Sequence, residues 1–201
     1  MQDLRDQMAE RLAAFPRIAL DRPDLRRAAV AILVAPHEGA PAYALTRRAA
    51  TMRRGAGNFA LPGGAADPGE DAVAAARRET EEELGVSLPT DADLGLLDDF
   101  VTLTGFLVTP VVLFSAEPHE LRPDPVEVGE ARFNPLAELE HPEAPRAEPH
   151  PEGGSPILRM YAQGRWINPP TAAFLYQFRE VALRGRWTRV ADVGQPPWTA
   201  R

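Results

Sequence analysis

The sequence contains no cysteine and no lysine, and it has no apolar run long enough to cross a membrane. The absence of cysteine excludes disulfides and thiolate chemistry, although it does not fix the compartment in which the protein works. The most apolar stretch, residues 106–116, contains Pro110 and is far shorter than the roughly 20 residues that a membrane helix needs. The charged N-terminus favours an amphipathic helix through Leu4, Met8 and Leu12 over a signal peptide. A soluble cytoplasmic protein is therefore expected.

Length and charge limit the domain organisation and the partners. The 201 residues are expected to form one domain, with an N-terminal helical extension at 1–25, a proline-rich loop at 141–156 and a tail at 186–201. The loop is interpreted as either a mobile lid or plain surface. The net charge of -7 argues against nucleic acid as a partner, because a duplex binder usually presents a basic face. No membrane partner is expected, and a homodimer is left open.

Hydrophobic pattern and turn residues give a coarse order of elements. Strands are predicted at 28–35, 42–46, 94–102, 106–114, 126–134 and 157–162. Helices are predicted at 72–84 and 171–183. Strands interrupted by helices in this way favour an α/β/α sandwich with a mixed β-sheet.

The helix at 72–84 has clear end signals and carries the most informative residues of the chain. Asp71 is a typical N-cap residue, and Gly85 is a typical left-handed stop. A rival start lies just upstream, where Asp67 is followed three residues later by Glu70 in a capping-box arrangement. The sequence alone leaves the first turn of the helix open between these two starts.

Three glutamates are expected on one flank of this helix. Glu79, Glu82 and Glu83 are spaced i, i+3 and i+4, which places them within an arc of roughly 100°. Like charges this close raise one another's pKa values unless a cation or an arginine lies among them. Oxygen ligands of this kind suit Mg²⁺ or Mn²⁺. Arg78 can pair with Glu82, Glu81 projects elsewhere, and the alternative is a solvated charged face with no metal.

The spacing around these glutamates resembles the Nudix box. That pattern is Gly, five residues, Glu, seven residues, Arg-Glu, an aliphatic residue, any residue, Glu-Glu, any residue, Gly and an aliphatic residue. Its positions are occupied here by Gly64, Glu70, Arg78, Glu79, Glu82, Glu83, Gly85 and Val86. The one departure is Thr80, which stands where an aliphatic residue is usual but keeps the β-branched shape.

The resemblance to Nudix hydrolases implies a fold, a reaction and a set of roles. The fold is the α/β/α sandwich, and the substrate is a small nucleotide-type molecule whose P–O–P link is hydrolysed. The implied ligands of Mg²⁺ or Mn²⁺ are Glu79, Glu82, Glu83 and the Gly63 carbonyl, with Arg78 and Glu70 orienting the cluster. Glu82, Glu83 and Arg78 are therefore candidate catalytic residues. The general base is left open between a metal-bound carboxylate, Glu127 and Glu130.

A second resemblance, at residues 44–64, is to the coenzyme A pyrophosphatases within the Nudix superfamily. The matching positions are Leu45, Thr46, Arg48, Ala49, Arg53, Gly57, Pro62, Gly63 and Gly64. Two positions depart from that pattern, because Leu61 replaces a usual Phe and Gly55 stands where many of these enzymes have His. The segment that begins at Trp166 also differs from the Trp-Gly-x-Thr-Ala that is common in this branch.

The arginines of this upstream segment are candidate substrate-binding residues. Arg47, Arg48, Arg53 and Arg54 precede the Pro-Gly-Gly turn, and guanidinium groups make paired hydrogen bonds to phosphate oxygens. Alternatively, some of them neutralise neighbouring carboxylates or remain in water. By resemblance, Arg48 or Arg53 would contact the 3′-phosphate of coenzyme A.

Three functional interpretations follow. The first is hydrolysis of coenzyme A or acyl-coenzyme A to 3′,5′-ADP and a 4′-phosphopantetheine product. The second is hydrolysis of another nucleoside diphosphate derivative, such as ADP-ribose, a dinucleotide or a damaged nucleotide. The third is a non-catalytic ligand sensor on the same fold, which ranks last because every glutamate of the box is present.

Overall fold

The computed structural model describes residues 1–52 and 55–200. The helices are α1 (Gln2–Ala14), α2 (Ala72–Leu84) and α3 (Thr171–Phe178), followed by a π-helical turn (Arg179–Leu183) and with two 3-10 helices at Leu136–Glu140 and Pro197–Ala200. The strands are β1 (Arg26–His37), β2 (Ala40–Arg48), β3 (Phe59–Ala60), β4 (Gly63–Ala65), β5 (Asp93–Leu96), β6 (Phe100–Val101), β7 (Phe106–Phe114), β8 (Val128–Pro135), β9 (Arg146–Glu148), β10 (Ile157–Ala162) and β11 (Arg165–Ile167). None of the helices in the described ranges has the length and apolar character needed to span a membrane.

Within the described residues, eight strands form one mixed sheet with β1 at its centre. The main order is β3-β2-β1-β7-β5, while β4 pairs with β1, β8 with β2 and β6 with β7. β1 is antiparallel to β2 and β4 but parallel to β7. A parallel pair requires a long crossover connection, and here that connection contains β4 and α2. The crossover therefore returns the chain to the edge of β1 just before α2 begins.

The two faces of β1 form two separate cores. Successive side chains of a strand point to opposite faces, so Ala31 packs with Ala75 and Ala76 of α2. On the other face, Ile32 belongs to the larger core that contains Phe174 of α3 and side chains of α1. The small residues facing α2 let the helix lie close to the sheet. This helix-sheet-helix layering confirms the predicted α/β/α sandwich with a mixed sheet.

The single strand predicted at 94–102 is instead two strands, β5 and β6, separated by two buried aspartates. Asp98 accepts a hydrogen bond from Arg189 Nη1 at 2.8 Å, and Asp99 accepts one from Arg17 Nη2 at 2.6 Å. Both arginines are remote in sequence. The apolar pattern predicts strand on both sides of the aspartates. The break between β5 and β6 depends on the two arginines, which a local pattern does not contain.

Other predicted elements differ at their ends. The segment 141–156 contains β9, which pairs with β10 in a small second sheet, so the middle of this predicted loop is a strand. β8 begins at Val128, two residues late, because the Asp124 carbonyl accepts its N–H in a turn. The helix predicted at 171–183 is α-helical only to Phe178 and continues as the π-helical turn.

Candidate active site

β4 brings a glycine against the carboxylate flank of α2. In the β1–β4 pairing, Gly64 lies opposite Ala29. A Cβ atom at Gly64 would lie 2.5 Å from Oε1 of Glu79, so any larger residue there would displace this carboxylate. Gly63 is confined by the backbone of β1, because a Cβ there would lie 2.3 Å from the Ala29 carbonyl oxygen. The missing side chain at Gly64 thus leaves room for the Glu79 carboxylate, and the one at Gly63 lets β4 pair closely with β1.

The ends of α2 follow the predicted signals. The Asp71 side chain accepts a hydrogen bond from the Ala74 N–H at 2.8 Å, and Gly85 adopts φ 67° in the left-handed region. Asp71 is thus the N-cap. Glu70 also contributes, because its Oε2 accepts the Asp67 N–H at 2.9 Å. The rival start is therefore a turn that fixes Glu70 beside the helix, not the beginning of the helix.

Arg78 joins the acidic residues of the site. Its Nε and Nη2 donate to the two carboxylate oxygens of Glu70, each at 3.0 Å. Its Nη1 donates to Glu79 at 2.8 Å and to Glu82 at 3.0 Å. Nη2 also donates to the Ala65 carbonyl of β4 at 3.0 Å. One guanidinium group thus orients Glu70 and Glu79 and ties both to β4.

Glu83 is the most buried carboxylate of the cluster, and it faces the same strand. Its Oε2 accepts the Gly63 N–H at 3.3 Å. Burial raises the pKa of Glu83 to about 8, and the nearby negative charge of Glu79 adds to the rise, while Arg48 opposes it. Burial also raises the pKa of Glu79, against the lowering effect of Arg78. Two partly buried carboxylates beside each other repel, so a cation bound between them would stabilise their charged forms.

Glu82 differs from these two residues in exposure. Its side chain is 59% exposed and is held by Arg78, whereas the side chain of Glu79 is only 13% exposed. Across residues 1–52 and 55–200, no three acidic, histidine or cysteine side chains converge as a ready ligand set. The donor chemistry nevertheless fits a divalent cation, because Glu79 and Glu83 offer hard oxygen ligands whose mutual repulsion such a cation would relieve.

The raised pKa of Glu83 predicts how stability depends on pH and on Mg²⁺. A carboxyl group with a higher pKa in the folded state stabilises the fold at low pH, and this contribution is lost as the pH rises through the folded pKa. Without divalent cations, we expect Tm to fall between about pH 5 and pH 8 as Glu83, with its pKa of about 8, ionises. A bound cation would take the place of the proton, so the increase in Tm on adding MgCl₂ should grow over this interval.

Thermal unfolding of the Glu83→Gln variant provides the control for this prediction. Glutamine does not ionise, so the variant should lose the part of the pH dependence that belongs to this position. An Mg²⁺-induced shift in Tm that is equal at about pH 6 and about pH 8.5 in the unmodified protein would contradict the prediction.

A cleft of about 550 Å³ opens beside β4. Its volume lies within the range of roughly 300–1,000 Å³ that is common for ligand sites. Its walls come from β1, β2, β3, β4, β7, β11, the last 3-10 helix and the loops before β8 and α3. The lining residues include Val30, Arg48, Phe59, Gly63, Gly64, Phe106, Glu127, Trp166, Asn168 and Trp198. The glycines that touch the acidic cluster therefore also form part of the cleft wall.

Glu127 and Glu130, the two candidates for a general base that are not predicted metal ligands, lie in different surroundings. Glu127 lines the cleft, and its charge contributes to raising the pKa values of both Glu79 and Glu83. Glu130 instead pairs with Arg132 at 2.5 Å and lines a neighbouring cavity of about 460 Å³. Of the two, only Glu127 shares the cleft with the glycines of β4.

The described arginines of residues 44–64 also line different cavities. Arg48 lines the cleft, whereas Arg47 lines the neighbouring cavity and donates to the Gly57 carbonyl at 3.1 Å. Arg53 and Arg54, both predicted to bind substrate, lie outside the described residues. Arg48 is thus the predicted substrate-binding arginine that the structure brings to the cleft.

Three residues of the cleft wall are not predicted from the sequence to be functional. Asn168 and Thr171 flank the Pro-Pro pair that precedes α3, and Trp198 belongs to the C-terminal 3-10 helix. The Thr171 hydroxyl donates to the Phe59 carbonyl at 3.2 Å, which joins α3 to β3. The only local signal was the unusual segment starting at Trp166. Nothing in the pattern of the tail indicates that Trp198 returns to this cleft.

Comparison with known proteins gives the same family in sequence and in fold. A sequence model described as the NUDIX domain matches residues 25–153. The chain is similar to proteins named "Uncharacterized Nudix hydrolase NudL". It is 40% identical to the one from Photorhabdus laumondii over 99 residues, which are 49% of this chain and 53% of that protein. For the one from Escherichia coli SMS-3-5, the identity is 36% over 127 residues, covering 63% and 66% of the two chains. The chain thus spans about half to two thirds of these curated relatives.

Two solved structures extend the similarity over more of the chain. The crystal structure of RenU, a Nudix hydrolase from M. Smegmatis, has a TM-score of 0.52 and 26% identity, with 82% of this chain and 90% of that chain covered. A Nudix hydrolase from Alicyclobacillus acidocaldarius has a TM-score of 0.52 and 21% identity, with 83% and 95% covered. The second likeness supports the fold alone.

Proposed function

Because this chain belongs to the Nudix family, we propose that it hydrolyses the pyrophosphate bond of coenzyme A or acyl-coenzyme A with a divalent cation, giving 3′,5′-ADP and a 4′-phosphopantetheine product. One observation supports the hydrolytic part most directly. The partly buried Glu79 and the buried Glu83 lie against Gly64 and Gly63, which also line the cleft that contains Arg48. The choice of coenzyme A rests on the sequence match at residues 44–64.

The acidic cluster provides the proposed cation site. Glu79, Glu82, Glu83 and the Gly63 carbonyl would hold Mg²⁺ or Mn²⁺. When bound, such a cation offsets the charge of the pyrophosphate and makes a nearby water a better nucleophile. Arg78 keeps Glu79 oriented through their 2.8 Å hydrogen bond, so little reorganisation is needed on binding.

The remaining steps involve the cleft residues. Arg48 would bind phosphate oxygens and hold the anhydride beside the acidic cluster. The oxygen of a water would bond to one phosphorus while the bridging oxygen leaves with the other phosphate. Glu127 would accept the proton that this water loses, because it lines the same cleft. The atoms then balance as one anhydride plus one water giving two phosphate monoesters.

Replacement of Glu127 by Gln tests its proposed role as general base. We expect the Glu127→Gln variant to lower kcat by roughly 10²-fold or more and to remove the acidic limb of the pH–rate profile, because the amide cannot accept the proton. Glu130→Gln is the matched control in the same segment, and it should retain kcat within about twofold. Larger damage from Glu130→Gln than from Glu127→Gln would reverse the assignment.

A substrate panel tests the proposed specificity. The protein would be incubated with MgCl₂ or MnCl₂ and with coenzyme A, an acyl-coenzyme A, ADP-ribose, NADH, diadenosine polyphosphates and nucleoside triphosphates, and products identified by mass. We expect 3′,5′-ADP from the coenzyme A compounds. Cleavage of other compounds with coenzyme A untouched would favour the second candidate, a hydrolase for another nucleoside diphosphate derivative. Leu61, Gly55 and the Trp166 segment support that candidate, since they depart from the coenzyme A pattern. Binding without any cleavage would favour a ligand sensor.

A further inference from the structure

Part of the cleft wall is aromatic. Its side chains are Phe106 of β7, Trp166 of β11 and Trp198 of the last 3-10 helix. On β1, Phe106 is paired with Arg26, whereas Gly63 is paired with Val30. Four residues of strand correspond to about 13 Å. A ligand whose phosphates lie near Gly63 would therefore have to extend along β1 to reach Phe106.

The ring of Trp166 is held in place before any ligand arrives. It packs edge to face against Tyr161 with ring centroids 5.4 Å apart, and against His141 at 5.8 Å. The guanidinium of Arg146 lies 5.6 Å from its centroid. Stacking surfaces that are already fixed lose little conformational entropy on binding. Trp166 is therefore a preorganised aromatic part of the cleft wall.

Trp198 reaches the cleft because the C-terminal tail is anchored by Gln195. The amide of Gln195 donates to the Val101 carbonyl at 2.9 Å and accepts the Leu103 N–H at 3.1 Å. Three residues later, Trp198 lines the cleft while remaining 45% exposed. A large apolar side chain left exposed at the wall of a cleft is a surface that a ligand can cover.

Asn168 adds a polar group to the same wall. Asn168 lines the cleft, and its Oδ1 is buried without a hydrogen-bond partner among the residues that the structure describes. Because no hydrogen bond holds this oxygen in place, the amide can turn to present it to a ligand in the cleft. A side-chain amide carries both donors and an acceptor, and it can pair with the N6 amino group and N7 of adenine at once. An aromatic wall with one amide is thus complementary to a purine that has a 6-amino group.

We infer that Trp166, Trp198 and Asn168 form an adenine-binding subsite of the cleft, in which the base stacks on the indole rings and Asn168 reads its N6 and N7 edge. All three residues lie beyond residues 25–153, the part matched by the NUDIX domain. The inference rests on the proposed function, since it assigns the nucleotide end of the same substrate. The residues after position 153 would therefore set base specificity while residues 25–153 perform hydrolysis.

Calorimetric titration of the full chain with three ligands tests the subsite without requiring hydrolysis. The ligands are 5′-AMP, IMP, which has an oxygen in place of the 6-amino group, and ribose 5-phosphate, which has no base. We expect AMP to bind at least about tenfold more tightly than ribose 5-phosphate, because stacking on aromatic side chains favours the base. IMP should bind more weakly than AMP. Equal binding of AMP and ribose 5-phosphate would overturn the inference.

Variants identify the residues responsible. Trp198→Ala should weaken AMP binding by about tenfold or more and leave ribose 5-phosphate unchanged, while Trp198→Phe should restore most of the affinity. The control is Trp187→Ala, since this tryptophan of the tail is 65% exposed and is outside the described set of cleft residues. Asn168→Leu should abolish the preference for AMP over IMP. Equal effects of Trp198→Ala and Trp187→Ala would overturn the assignment.

The outcomes separate this inference from the proposed function. Preferential binding of AMP over ribose 5-phosphate, with no cleavage of any pyrophosphate, would contradict the proposed function and support the subsite. Cleavage with no preference for AMP over ribose 5-phosphate would support hydrolysis and overturn the subsite. As a further ligand, 4′-phosphopantetheine would be titrated in the same way. Weaker binding of this compound to Trp198→Ala, with AMP binding unchanged, would assign this wall to the other end of the substrate and also overturn the inference.

Discussion

Replacing Glu83 by Gln is expected to lower turnover by about 100-fold or more while the protein stays folded. Glutamine has nearly the same shape and can still accept the Gly63 N–H, which now lies 3.3 Å from Glu83 Oε2. The variant loses only the charge and one hard oxygen ligand. Because Glu83 is 5% exposed and close to the charge of Glu79, neutralising it should leave Tm without metal unchanged or raised. The measurements are kcat with MgCl₂ and Tm with and without the cation.

Two companion variants make this result specific. Glu82→Gln should also lose about 100-fold in turnover, since Glu82 is expected to complete the ligand set. Glu81→Gln changes the neighbouring carboxylate, which is exposed on another side of α2, and it should retain kcat within about twofold. Near-normal activity in both Glu82→Gln and Glu83→Gln would refute the assigned roles. A large fall in Tm for Glu83→Gln would indicate that lost structure, and not lost ligation, explains the lost activity.

The elements that could be predicted are those whose signals lie within a few residues. Helix α2 has its cap at Asp71 and its stop at Gly85, so the predicted bounds of 72–84 are confirmed. The elements that could not be predicted depend on distant contacts. β9 exists because Arg146–Glu148 pairs with β10, and the break between β5 and β6 depends on arginines about 80 to 90 residues away. Neither partner can be inferred from a local pattern.

In the candidate site, too, some features follow from local sequence and others depend on distant contacts. The spacing of Glu79, Glu82 and Glu83 predicts a shared flank, but it does not predict that Glu82 lies at the exposed edge while Glu83 is buried. That difference comes from β4, whose glycines cover one side of the flank and leave the other in solvent. Trp198 could not be predicted for a similar reason, because its position depends on the two hydrogen bonds that Gln195 makes with Val101 of β6 and with Leu103 in the loop that follows.

Arg78→Lys is expected to lower kcat by roughly 10- to 100-fold and to reduce the free energy of unfolding by about 1–3 kcal/mol. The positive charge is kept, but a single ammonium group cannot reproduce the forked contacts to Glu70 together with those to Glu79 and the Ala65 carbonyl. Glu79 would then lose its fixed orientation beside Gly64. The Tm increase on adding MgCl₂ should therefore be smaller in the variant, which separates damage to the cation site from general destabilisation.

Arg77→Lys supplies the matched control, because Arg77 is the preceding residue of α2 and makes a single side-chain hydrogen bond, from Nη2 to the Leu88 carbonyl at 2.7 Å. No carboxylate is among its hydrogen-bond partners in the part of the chain that the structure describes. Arg77→Lys should therefore keep both kcat and the Mg²⁺-dependent Tm shift close to those of the unmodified protein. If Arg78→Lys behaved like Arg77→Lys in both measurements, charge alone would suffice at position 78, and the forked geometry would have no part in organising the glutamates.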